Sequence, residues 1–192
     1  MFINYITLML INLVVGLFLL AGYVYLGLSD PHQKRWIPGF GMVGAIALTT
    51  GLHMIFTWPV RGSFNIAYGE MSVLFGALFL ATCLAIAFSW DLITVAVYGF
   101  FAGVAALLIG LRIINLGLTK QPLLSGIGFI LTGLSGIFAA PTLYFKTNRT
   151  LRIVGAIVLV VAALIFALTG YLAYWNHLAD YSNWKPLPMR SP

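Results

Sequence analysis

The sequence predicts an all-α integral membrane protein, a bundle of six transmembrane helices, and three observations predict it. The 192 residues are 61% hydrophobic and only 7% charged, whereas a soluble domain carries about 25% charged residues. Mean hydropathy is +1.02. Apolar runs recur along the whole chain, each long enough to cross a hydrocarbon core about 30 Å thick at 1.5 Å per residue. Charges, prolines and polar clusters separate these runs. Lipid offers no partner to an open backbone group, so such crossings are helices; barrel strands would be about half as long and would alternate.

The first crossing runs from Asn4 to Leu28 and ends at "SDPHQKRW". It exceeds the apolar core of a signal peptide, with no basic lead and no small-residue cleavage site, and reads as a retained helix. The second runs from Ile37 to Trp58 and stops at Pro59, the third from Glu70 to Ser89, and the fourth from Leu92 to Leu118. The fifth, Pro122 to Phe145, contains Pro141, which is expected to kink it. The sixth runs from Leu151 to Trp175. One transmembrane domain over residues 1–178 and a polar tail over 179–192 use the whole length.

Six crossings put both termini on one face, here called the terminal face. The opposite face carries Lys34, Arg35, Lys146, Arg149 and Arg152; the terminal face carries Arg61, Lys120, Lys185 and Arg190, with Arg112 just inside the membrane. Basic residues favour the cytoplasmic side, so this slight bias puts the termini on the non-cytoplasmic side of a multi-pass cell-membrane protein. "GAIALTTGLHMIF" (Gly44 to Phe56) matches "GVAALLIGLRIIN" (Gly103 to Asn115) at six of thirteen positions, and "GAIVLVVAALIFA" (Gly155 to Ala167) shares the opening of the first. These three segments suggest three helical hairpin repeats, although Gly, Ala, Leu and Ile fill every membrane helix and match readily.

The formal charge of +6 comes from ten Lys and Arg scattered through short loops. There they meet lipid headgroups, and no basic run with interleaved aromatics points to nucleic acid. The lipid bilayer is the partner the composition implies, with a homo-oligomer or a larger membrane complex open beside it. A single Cys83 excludes an intrachain disulfide and a thiolate metal cluster. No zinc pattern, nucleophile elbow or phosphate loop occurs, so no catalytic motif is found. "GFGMVG" (Gly39 to Gly44) opens a membrane helix and reads as close helix packing.

The candidate site is built from polar residues at the terminal face. His53 lies about one turn inside the end of the second crossing, and Arg112 about five residues inside the end of the fourth, with Asn115 in the same turn. Each has a bland alternative: a hydrogen-bonded histidine, and an arginine that snorkels to the headgroups. The functional reading turns both inward, with Glu70 as the carboxylate partner of Arg112, since intramembrane ionisable residues usually face a bundle interior. Arg61, Asn65 and Tyr68 then belong to an eleven-residue loop, "VRGSFNIAYGE", at the mouth of a polar pocket. His53 is also the candidate axial ligand of a b-type haem. A bis-histidine haem with His177 is disfavoured, because the repeat alignment puts His177 roughly 20 Å further along the axis.

The stretch "GLHMIFTWPVRGSFNIAYGE", with its Trp-Pro, Asn-Ile and Gly-Glu, resembles the central motif of domain-of-unknown-function family 981, small multi-span proteins of bacteria and archaea. The resemblance covers most of the chain and implies a compact membrane protein with no agreed activity. It supports the emphasis on His53, Trp58, Arg61, Asn65, Tyr68 and Glu70. Three functions follow from the residues themselves. The first is binding or transport of a small polar or anionic ligand, or of protons, through the terminal-face pocket. The second is an accessory subunit of a larger membrane complex. The third is a redox role, with haem on His53 or a quinone beside His53 and Glu70.

Overall fold

The computed structural model describes residues 5–184, of which 83% are helical, with no strand among them. The helices are α1 (Ile6–Tyr25), α2 (Ile37–Thr57), α3 (Met71–Ala87), α4 (Ile93–Leu116), α5 (Pro122–Ile137), α6 (Ala139–Tyr144) and α7 (Arg149–Asp180). Short 3₁₀ turns, Gly27–Ser29 and Gln33–Trp36, join α1 to α2. Pro38 and Pro122 occupy first turns, where a missing N–H leaves no helical bond unmade. The Asn148 side chain caps α7 by accepting from the Leu151 N–H at 3.1 Å.

Five stretches are long and apolar enough to cross a membrane: Ile6–Tyr25, Gln33–Thr57, Asn65–Ala87, Ile93–Leu116 and Arg149–Asp180. The expected single fifth span is divided into α5 and α6, and α5 alone is shorter than a crossing. Pro141 has no N–H, and its ring excludes the carbonyl four residues back at Ile137, so the chain breaks at Phe138 (φ −87°, ψ 5°). The last helix outruns its expected end at Trp175 and continues to Asp180, across the expected boundary between domain and tail. Lys185 and Arg190 of the tail lie outside the described residues. The expected eleven-residue loop is also shorter, because Asn65–Glu70 forms a π-helical turn leading directly into α3.

The helices close into a ring in chain order, α6 lying mainly on α4. Three pairs pack closely: α2 with α3, α4 with α5, and α1 with α7. Thinner seams join them at α1–α2, α3–α4 and α5–α7. Glycine makes the close pairs possible. A Cβ on Gly76 would stand 2.5 Å from the Leu48 nitrogen, and one on Gly103 2.5 Å from the Gly133 carbonyl oxygen, so backbone meets backbone in both pairs. In the third pair Arg152 of α7 reaches over the end of α1, its Nε donating to the Val24 carbonyl at 2.9 Å and its guanidinium also to the Tyr25 carbonyl. That puts a cation on the negative end of the α1 dipole.

Outward faces are hydrocarbon, as Met42 (66% exposed), Phe101 (68%) and Leu108 (57%) show. A soluble bundle would turn polar faces outward; these suit a multi-pass membrane protein.

Candidate functional site

At the terminal face α2 ends on Trp58 in the left-handed conformation (φ 44°, ψ 55°), its N–H still donating to the Met54 carbonyl at 3.0 Å. A proline follows, so the chain turns sharply, and Asn65 fixes the turn. The Asn65 amide is fully buried. Its Oδ1 accepts from the Val60 N–H at 3.2 Å, and its Nδ2 donates to the carbonyls of Val60 and Gly62, the latter at 3.0 Å. Each bond goes to its own loop, so Asn65 is a structural clasp. Tyr68, one turn on, is buried with its hydroxyl toward Ser125. Its ring lies parallel to Phe64 (6.1 Å between centroids) and edge-on to Phe129 (5.7 Å), which meets Phe166 at 5.6 Å.

The other five candidates are not gathered with these. His53, Arg61, Glu70, Arg112 and Asn115 are all exposed. Arg112 does not pair with Glu70: its guanidinium donates to Asn115 Oδ1 at 2.8 Å, one turn along the same helix. Among the described residues Asp30 pairs with Arg35 at 2.6 Å and with His32 at 4.0 Å, on the opposite face. The His53 ring stands edge-on to Tyr5 at 5.5 Å. His177 Nδ1 is 3.3 Å from Thr7 Oγ1. The two imidazoles therefore contact positions two residues apart on α1, and the 20 Å axial offset inferred from the repeat alignment does not arise. No group of three or more His, Cys, Asp or Glu that could hold a metal occurs among the described residues.

The ring encloses something the sequence reading lacked: a cavity of about 230 Å³ reaching every long helix. Hydrocarbon lines it, with Leu17, Phe75, Leu78 and Leu159 among its walls and a small-residue stripe, Ala96, Gly99, Gly103 and Ala106, along α4. Four of the Ser and Thr hydroxyls in its wall are already used, and Ser72 adds a fifth to that wall. Thr82 donates to the Leu78 carbonyl, Thr132 to Gly128, Ser135 to Leu131 and Thr142 to Phe138, each at 2.7–3.0 Å. Such bonding to the carbonyl one turn back is the local alternative open to Ser and Thr in helices. Asn12, also in the wall, donates to the Val43 carbonyl at 2.9 Å. The chamber thus offers a guest hydrocarbon and almost no free donor. Of the seven residues singled out from the sequence, only Tyr68 lines it.

At the opposite face a second cavity, about 460 Å³, is lined by Gln33, Trp90, Asp91, Tyr144 and Lys146. Tyr23, Leu28, Leu92 and Leu143 line both cavities. The Tyr23 hydroxyl donates to Gln33 Oε1 at 3.0 Å across this junction. The opposite face therefore carries a polar vestibule beside its basic loops. The α4 stripe could have signalled the chamber in advance, since small residues recur at helical spacing there. A family model described as "Protein of unknown function (DUF981)" matches residues 1–180. No curated protein and no solved structure matches the chain.

Proposed function

The chain belongs to the DUF981 family of proteins of unknown function, and from that premise we propose that it is a six-crossing membrane protein that holds the apolar chain of a lipid-like molecule inside its helical ring. The carrying observation is the hydrocarbon chamber of about 230 Å³. A single water needs only about 10–15 Å³ by such a measure, and large cavities without free polar groups stay dry and take up apolar guests. The sixth crossing in this reading is the broken helix α5–α6. The cell membrane is its location, with the basic opposite face in the cytoplasm.

The ring reads as three related pairs. Gly44, Leu48 and Gly51 of α2 meet Gly76 and Val73 of α3 and Gly69 of the π-helical turn before it; Gly103, Leu107 and Gly110 of α4 meet Gly133, Ile130 and Gly126 of α5 through the same backbone atoms. The pair α7–α1 completes the triplet with glycines that face side chains, Gly170 toward Leu10 and Ile11 and Gly155 toward Val24.

Among the loop residues, Tyr68 closes the chamber at the terminal face and Asn65 holds Tyr68 in register. His53, Arg61, Glu70, Arg112 and Asn115 serve as headgroup-level contacts. A polar or anionic ligand or a proton path would need these five inside the ring. A haem on His53, or a quinone beside it, would sit outside the chamber, which His53 does not line.

The test is retention of an apolar probe, a spin-labelled fatty acyl chain, by the purified protein. Ala102→Phe fills the chamber from α4, whereas Leu108→Phe enlarges an outward residue of the same helix. We expect immobilised probe to be lost at 102 and kept at 108. Equal retention in both would reduce the probe to lipid on the outer surface and overturn the reading.

A further inference from the structure

The two cavities share a wall of Tyr23, Leu28, Leu92 and Leu143, and we propose that together they hold a zwitterionic phospholipid, with its head at the opposite face and one acyl chain in the ring. This rests on the apolar-guest reading above and adds the identity of the head. The vestibule is lined by one cation and one anion, Lys146 and Asp91, with Gln33 and Tyr23 between the polar and apolar parts. A purely anionic head would gain Lys146 but meet Asp91; a purely cationic one would meet Lys146. A phosphate joined to an ammonium answers both, and charge-assisted bonds of each kind are the stronger ones.

The rim fits the same molecule. Trp90 (63% exposed) stacks with Phe88 at 5.1 Å, and Tyr144 (78% exposed) lies edge-on to Phe145 at 4.9 Å. Amphipathic rings collect at headgroup depth, and their faces attract an ammonium. Depth agrees as well. From Leu92 at the junction to Ala106 in the chamber, α4 rises about 21 Å at 1.5 Å per residue, more than half of a hydrocarbon core about 30 Å thick. A chamber so long for its volume admits one chain.

The test uses the whole protein in detergent and three probes with the same acyl chain: lysophosphatidylethanolamine, lysophosphatidylglycerol and the methyl ester, which has no charged head. Retention is read by native mass spectrometry. We expect the ethanolamine lipid to be held about two- to fivefold more tightly than the glycerol lipid, the range of one modest charged contact. Asp91→Asn should remove that preference, and Lys146→Gln should weaken both phospholipids relative to the methyl ester while leaving the preference between them. Both positions are exposed, and Asn at 91 keeps an oxygen to accept the Ile93 N–H, bonded at 2.8 Å to Asp91 in the native chain. Equal retention of all three probes, lost in Ala102→Phe, would overturn the head assignment and leave the apolar reading standing. Retention of none would overturn both.

Discussion

Asn65 is the residue on which the terminal face depends most directly. It is wholly buried and its amide bonds three backbone groups of its own loop. Alanine there would strand those groups, and an unmade buried bond costs about 1–3 kcal/mol. We expect Asn65→Ala to lower unfolding stability in detergent by about 2 kcal/mol, measured by denaturant or thermal unfolding. His53→Ala and Arg112→Gln should each stay within about 0.5 kcal/mol, as exposed substitutions do. The sequence singled out all three residues, yet their phases were readable and went unused. Gly51 and Gly110 face a partner helix; His53 and Arg112 each stand two residues further on, about 200° around a helix of 3.6 residues per turn. Both therefore point away from the pair they seemed to belong to.

Among the elements, the close pairs give a sharp contrast between glycines that look alike in the sequence. A Cβ on Gly76 or Gly133 would press on backbone at 2.5 and 2.6 Å, whereas one on Gly99 finds Leu78 at an ordinary 3.7 Å. Overpacking costs about 1–3 kcal/mol. Gly76→Ala and Gly133→Ala should therefore cost similar amounts in that range, measured by thermal unfolding, and Gly99→Ala much less. Matching costs at 76 and 133 would also support the repeat; strongly unequal ones would count against it. The apolar runs were legible because charges and prolines bound them. The π-helical turn at Asn65–Glu70 was not, since Gly, Asn and Arg beside Pro59 are ordinary loop residues and only the buried Asn65 amide makes the turn helical.

At the scale of the whole molecule, closure of the ring is a property no single segment contains. Small residues mark the inward or pair-facing side of a helix here and there, but the relation between one helix and the next is carried by no single segment, and a closed chamber depends on that relation. The seam between α3 and α4 is the thinnest in the ring and meets where Leu78 lies over Gly99. If the ring holds an apolar chain as proposed, this seam is the expected route of its entry from the bilayer. In a Cys83→Ser background, Leu78→Cys with Gly99→Cys joined by a short thiol crosslinker should slow dissociation of the spin-labelled chain at least tenfold without changing its final occupancy. An unchanged rate would move the route to another seam.

The hydroxyls of Thr82, Thr132, Ser135 and Thr142, each committed to a carbonyl of its own helix, also bear on energy conservation. A file of water needs donors and acceptors along its path, and a charge crossing hydrocarbon without them meets a steep barrier. If the two cavities hold a lipid as proposed, a wall of this kind would let them stand open at one end while the ion gradients of the membrane stay undischarged.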